Sequence, residues 1–327
     1  MEFLARDFSR RGHAVVLATV TPSEMEGNFD FQVRRQLSFF ELWRLATKSD
    51  VCLCANVSLR GALPLFLSGV PIVISHQGWY RGGGNPPLLG ALKNGVARLV
   101  TNVFASRAIA ARIPVRGIVI PNGYDTEHFR HYDDVRRSED LIFVGRLVSD
   151  KGVDVLLSAL HLLAEHGRRP TLTVIGAGPD EAHLRALVSE LGLAEHVRFT
   201  GRLAGEALAR EISRHKIMVV PSSWEEPFGI VALEGIACGC VIVGTDGGGL
   251  PEAIGPCGLL ARRGDAADLA LQIDRALLDF QGQKIMRAAA RDHLSRHTAE
   301  HIVTAYLRVL GIAAREVNRG TAECTGS

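Results

Sequence analysis

Glu226 and Glu234 stand eight residues apart in the stretch Trp224-Glu225-Glu226-Pro227-Phe228-Gly229-Ile230-Val231-Ala232-Leu233-Glu234. The apolar run 217–220 before it reads as a buried strand, and the apolar segment 230–237 reads as the first turns of a helix. The carboxylates therefore bracket a strand-to-helix turn. Phe228 and Gly229 place bare backbone at the helix start, where unpaired N–H groups and the helix dipole favour an anion. Carboxylates that accept from sugar hydroxyls beside amides that donate to a phosphate suit a nucleotide-sugar. Two further readings stay open: a general acid/base pair, weakened because Glu234 falls well inside the helix, and helix N-terminal carboxylates stabilised only by the dipole. Glu225 competes with Glu226, but only Glu226 completes the E-x7-E spacing.

Arg146 and Lys151 follow another apolar run in Phe143-Val144-Gly145-Arg146-Leu147-Val148-Ser149-Asp150-Lys151-Gly152. Two cations five residues apart in a strand-to-helix loop can converge on a diphosphate, Arg as a planar fork and Lys as a point charge. Gly176-Ala177-Gly178-Pro179 follows the run 171–175 and would let a ligand approach the backbone closely. As a dinucleotide fingerprint it fails, because Glu181 stands where the third glycine belongs, which argues against a nicotinamide dehydrogenase. Glycines 247–249 read as another close-approach turn, and glycines 82–84 as a mobile loop over an acceptor. The six cysteines show no metal-ligand spacing and read as small buried side chains.

The elements that must position these groups alternate in type. Strand candidates at 14–20, 51–55, 71–75, 98–102 and 117–120, with helical stretches 37–47 and 59–67, are followed by strands at 140–144, 171–175, 197–200, 217–220 and 241–244. That rhythm predicts α/β architecture with parallel sheets. A length of 327 residues fits two domains. The polar, aperiodic stretch 124–138 marks the boundary. The expected organisation is an N-terminal Rossmann-like domain over 1–130, a second over 138–290, a terminal helix within 291–317 packing back on the first domain, and a polar tail, 318–327. A helix over 291–314 would carry Ile302, Tyr306, Val309 and Leu310 on one face.

The beginning departs from this plan. A Rossmann-like domain is expected to open with a strand and a glycine-rich turn, whereas Phe3, Leu4 and Phe8 read as a helix ending at Gly12 before the strand 14–20. The expectation is an N-terminal domain truncated at its start. No transmembrane run and no secretory h-region occur, so a cytoplasmic location is expected. Net charge is +2, yet residues 1–130 carry 15 Lys and Arg against 9 Asp and Glu, a net of +6, leaving −4 for the remainder. A basic first half suits an anionic acceptor or peripheral contact with the inner face of a membrane.

The chain resembles the retaining glycosyltransferases of family 4, through RGHAVVLAT, HQGW, IPNGYD, FVGRLVSDKGVDVLLSAL, VIGAGPDEAHLRAL, VRFTGRL and SSWEEPFGIVALEGIACGCVIVGTDGGGLPEAI. The resemblance implies the GT-B fold, two Rossmann-like domains facing across a cleft. It implies transfer of a sugar, taken here as a hexose, from a nucleotide diphosphate donor, with anomeric configuration retained. No resident cofactor or metal is expected, and the chain has no D-x-D motif. By resemblance Arg146 and Lys151 hold the departing diphosphate and Glu226 accepts from the donor sugar, with His76 of HQGW near the transferring sugar. Glu234 accepts from the ribose hydroxyls. The amides of Phe228, Gly229, Ile230 and Val231 face the sugar phosphate, Gly145, Gly176 and Gly178 line the donor, and 197–203, including Arg202 and Leu203, line the base. Retention without a carboxylate nucleophile implies front-face substitution. The implied partners are the nucleotide-sugar and a glycan or lipid-linked acceptor, in polysaccharide or glycolipid assembly, with no nucleic acid among them. A nucleotide-sugar 2-epimerase of the same fold and a non-catalytic partner subunit are the alternatives.

Overall fold

The computed structural model of the chain describes residues 2–22, 29–79 and 87–324, so glycines 82–84 lie outside the described residues. Contacts divide the chain into two units, Met1–Pro121 with Ala299–Ser327, and Asn122–Thr298.

Unit 1 runs α1 (Glu2–Arg10), β1 (Val16–Thr19), β2 (Gln32–Arg35), α2 (Phe39–Ala46), β3 (Cys52–Ala55), α3 (Leu59–Ser68), β4 (Ile72–His76), α4 (Pro87–Ala97), β5 (Thr101–Phe104), α5 (Arg107–Arg112) and β6 (Ile118–Val119). Its strands are all parallel but form two sheets, β1-β2 and β3-β4-β5-β6. Among the described residues the two sheets share no ladder: β1 pairs with β2, and β3 with β4. The strand β2, Gln-Val-Arg-Arg, escaped the hydrophobic pattern because Val33 is its lone apolar residue. The strand expected at 98–102 begins instead at Thr101, since the Arg98 and Leu99 amides still bond back to Asn94 and Val96 as the last turn of α4.

Period-two alternation decides which core each side chain of β4 joins. Val73 faces Leu4 and Phe8 of α1, whereas Ile72 and Ile74 face Ala46, Leu65 and Ile109 on the other side. The first of these cores is closed by Ile302, Val303, Tyr306 and Val309 of the last helix, Ala299–Cys324. The Tyr306 hydroxyl lies 2.6 Å from Ser75 Oγ, so the one polar atom of that helix face is satisfied.

Unit 2 runs β7 (Glu139–Val144), α6 (Val153–Glu165), β8 (Leu172–Ile175), α7 (Glu181–Glu190), β9 (Val197–Gly201), α8 (Gly205–Ser213), β10 (His215–Val220), α9 (Ile230–Ala237), β11 (Val241–Thr245), α10 (Leu250–Ile254), β12 (Gly258–Ala261), α11 (Ala266–Leu278) and α12 (Phe280–Ser295), after which α13 is the helix Ala299–Cys324 already placed in unit 1. Its six strands form one parallel sheet in the order β12-β11-β10-β7-β8-β9. Helices cover both faces, which is why the strands read as apolar runs rather than alternating ones. The chain enters at β7, moves outward through β8 and β9, then returns to the other side of β7 with β10. The carboxyl ends of β7 and β10 are thus the topological switch point, where open sheets of this kind bind ligands.

Two sequence expectations change here. The stretch 124–138 is built into unit 2: Phe129 and Tyr132 are buried in its core, and Arg137 donates to the carbonyls of His215 and Cys238. The helix expected over 291–314 is broken between Ser295 and Ala299. At the break the His297 ring meets the Asn122 carbonyl (3.0 Å) while its own carbonyl accepts from the Tyr124 amide (3.2 Å), bonds that a continuous helix could not make. No helix among the described residues is long and apolar enough to cross a membrane.

Candidate active site

The loops after β7 and β10 are stitched together at the switch point. Lys151 closes a 3-10 turn, Ser149–Lys151, and Gly152 follows with φ +66°. A Cβ on Gly152 would collide with the carbonyl of Pro221, so only glycine lets the two loops touch. The Ser223 amide donates to the Asp150 carbonyl (3.0 Å), and Lys151 Nζ reaches Glu226 Oε1 at 2.5 Å. Ser222 Oγ donates to the same carboxylate oxygen (2.7 Å), and Thr245 Oγ1 anchors the Ser222 carbonyl (3.0 Å). Glu226 is also held by its backbone, because its carbonyl accepts from the Gly249 amide (2.7 Å). Gly248, with φ +65°, has no room for a Cβ against that carbonyl. Glu225 turns elsewhere and pairs with Arg263 at 3.2 Å, so the two adjacent glutamates have separate environments, and Glu226 is the one inside the cluster.

The helix beyond the turn offers bare donors. Gly229 is the N-cap of α9 at φ +105°, with no side chain capping it. The first-turn amides of such a helix have no intrahelical partner, and among the described residues those of Gly229, Ile230 and Val231 meet no other carbonyl. Phe228 anchors the turn through a buried ring that packs 5.6 Å from the ring of His297. One turn into α9, burial pushes the Glu234 carboxyl up to about 7, aided by the negative charge of Asp125.

The remaining expected residues fall in three places. Arg146 stands exposed in the β7 loop, and no bond or common partner joins it to Lys151. Gly145 donates to Ile175 (3.0 Å), and Cβ atoms on Gly176 and Gly178 would strike the carbonyls of Gly145 and Leu147. These glycines let the β7 and β8 loops pack backbone to backbone, a reason the spacing did not reveal. Leu203 is half-buried beside the core, and Arg202 is exposed. His76 lies in unit 1, fully buried and stacked on Phe104 at 4.9 Å. The Asn102 amide donates to the Ala97, Val100 and Arg116 carbonyls, which leaves its Oδ1 to accept from His76 Nε2 (2.8 Å). Desolvation holds this imidazole below the usual histidine pKa, against the opposing effect of the Asn102 hydrogen bond.

Sequence reasoning missed Ser222 and Asp125. Ser222 stands four residues before Glu226 and was readable as a donor; Asp125 is distant in sequence and only folding brings its charge near Glu234.

A family model described as "Glycosyl transferases group 1" matches residues 124–293, more than half of the chain. A D-inositol 3-phosphate glycosyltransferase of Stackebrandtia nassauensis is 34% identical over 64% of this chain and 53% of its own length. A 2-deoxystreptamine glucosyltransferase of Streptomyces kanamyceticus is 33% identical over 52% of this chain and 45% of its own. The chain spans about half the length of the curated relatives it matches. Among solved structures, Anabaena Alr3699/HepE in complex with UDP superposes with TM-score 0.81 at 19% identity, covering 95% of this chain and 94% of that one. Sucrose-phosphate synthase from Thermosynechococcus elongatus gives 0.76 at 20% identity, over 94% and 90%. The shared fold is GT-B, with its two Rossmann-like units.

Proposed function

The chain belongs to the glycosyl transferases group 1 family, and from that premise we propose that it moves a sugar from a nucleotide diphosphate donor to a glycan or lipid-linked acceptor, with retention and without a metal. The observation that carries the reading is the Lys151–Glu226–Ser222 cluster beside the unpartnered amides of α9 at the β7/β10 switch point. Cation and amides favour a diphosphate, and a fixed carboxylate favours sugar hydroxyls.

In the proposed reaction the bond from the sugar C1 to the diphosphate oxygen breaks, and a bond from C1 to the acceptor oxygen forms on the same face. The acceptor's proton passes to the departing diphosphate, so the products are the glycoside and the nucleoside diphosphate. Lys151, Arg146 and the α9 amides stabilise the charge gathering on the leaving group, the largest electrostatic demand of the step. Glu226 orients the sugar, and Glu234 accepts from the ribose. The family resemblance and the Anabaena structure in complex with UDP support this reading and make UDP-sugars the first donors to try. Peripheral association with a membrane belongs to the same reading, through the basic first half.

Calorimetry of the full chain with UDP, GDP, ADP and their sugar conjugates tests it. One donor should bind, and an Arg146→Ala/Lys151→Ala double variant should lose about a hundredfold in affinity, two charge-assisted contacts' worth. Absence of heat with every donor, or unchanged affinity in the variant, overturns it. Conversion of a donor alone into an isomer would assign the 2-epimerase instead.

A further inference from the structure

Unit 1 carries a surface that the donor chemistry does not use. On α2, Phe39, Phe40 and Trp43 are exposed, Phe40 by 76%. On α3, Leu63, Phe66 and Leu67 are exposed at i, i+3 and i+4, with Leu63 at 57% and Leu67 at 62%, so they form one helix face. The two helices pack side by side, and the Trp43 indole donates to the Leu67 carbonyl (3.3 Å), which joins their apolar stripes. The patch continues past α3: Phe66 lines a groove with Val70, Arg98 and Leu99, and Leu99, in the turn from α4 to β5, is 74% exposed. Contiguous exposed aromatic and aliphatic side chains on this scale mark an interaction surface.

Charge says what the surface fits. From Val51 to Tyr124 the sequence has no Asp or Glu, against seven Arg and Lys: Arg60, Arg81, Lys93, Arg98, Arg107, Arg112 and Arg116. Arg44 and Lys48 stand on and beside α2, exposed, and the one acid of α2, Glu41, is drawn into the capping box with Ser38. Among the described residues Arg44, Lys48, Arg60 and Arg98 enter no ion pair. An apolar centre containing Trp and Phe with a basic surround is the composition that seats at the boundary of acyl chains and anionic headgroups. A second copy docked face to face would set these cations against one another with no acid of the segment 51–124 to relieve them. A soluble anionic glycan would leave the apolar centre without a partner.

We propose that the face formed by α2, α3 and the α4–β5 turn is the docking surface for an anionic lipid bilayer. It inserts Phe40, Trp43, Leu63, Leu67 and Leu99 among the headgroups while Arg44, Lys48, Arg60 and Arg98 meet lipid phosphates. The surface deepens the membrane-associated part of the function proposed above and rests on it only for what the acceptor is.

Sedimentation of the full chain with vesicles tests the surface, with no nucleotide present, so vesicle binding and donor binding fail independently. The chain should pellet with vesicles of phosphatidylglycerol and phosphatidylcholine in about equal parts, less with phosphatidylcholine alone, and less as salt rises. A Phe40→Ser/Leu67→Ser variant should bind about tenfold more weakly, with unchanged thermal unfolding, as expected for exposed side chains leaving an apolar boundary. An Arg44→Glu/Arg98→Glu variant should lose phosphatidylglycerol binding about tenfold or more while residual binding to phosphatidylcholine stays as it was. Failure to pellet with the anionic vesicles overturns the proposal, as does equal pelleting of either variant. So does a dimer, seen by light scattering without lipid, that the Phe40→Ser/Leu67→Ser variant abolishes.

Discussion

Replacing Glu234 by Gln should stabilise the protein and weaken it as a donor receptor. Burial and the charge of Asp125 raise the Glu234 carboxyl from 4.5 to about 7. Between those two values the folded chain keeps a proton that the unfolded chain has released. Stability therefore falls as pH rises through this window, and above it the cost of ionising a half-buried carboxylate is complete. A shift of that size corresponds to at most about 3 kcal/mol, less whatever water and relaxation recover. Glu234→Gln keeps the shape and removes the charge, so it should gain about 1–3 kcal/mol at pH 8 and nothing at pH 4. For a unit of this size each kcal/mol moves the midpoint by roughly 2–4 °C. Thermal unfolding of both proteins from pH 4 to pH 8 reads the difference directly, because every other carboxylate is common to the two. The same substitution should weaken donor binding about tenfold at pH 8, since a charged acceptor holds hydroxyls more strongly than an amide. A stability difference that does not vary with pH would refute the reasoning, as would a Gln variant less stable than the parent at pH 8. A carboxylate that costs stability where it sits is what a retained binding group looks like.

Gly178→Ala should lose about 2 kcal/mol although its φ lies outside the left-handed region, because the new methyl strikes the Leu147 carbonyl; a denaturant titration showing less than about half of that would mean the β7 and β8 loops slide apart freely. His297→Ala should destabilise by about 2 kcal/mol, from a lost hydrogen bond to Asn122 and lost packing on Phe228, and hydrogen exchange should quicken at the Tyr124 amide before it quickens in β7. Uniform quickening across unit 2 would show that His297 does not pin the break between α12 and α13.

The sequence by itself determined most of unit 2. Its inner strands β7, β8, β10 and β11 are largely buried, so each carries an unbroken apolar run, and the order of runs and helical stretches dictates a parallel sheet with loops at the carboxyl ends. The edge strands are less legible: β9 turns Arg198 to solvent, and β12 is not among the runs the pattern marks. E-x7-E spacing picks Glu226 over Glu225, and the structure gives the two glutamates different partners, Lys151 for one and Arg263 for the other. Legibility fails where the signal is not periodic. The division of unit 1 into two sheets depends on which strand edges meet, and edge pairing leaves no mark in a four-residue strand such as Gln-Val-Arg-Arg. The partners of His76, the Phe104 ring and the Asn102 carbonyl oxygen, are not legible from its motif, because a strand end is on the surface or in the core according to what packs over it. That Gly176 and Gly178 also make room for a neighbouring loop is visible only in the packed backbone. Tertiary structure alone decided the environment of Glu234, since desolvation and the nearness of Asp125 are properties of packed atoms, and no spacing along a chain encodes them.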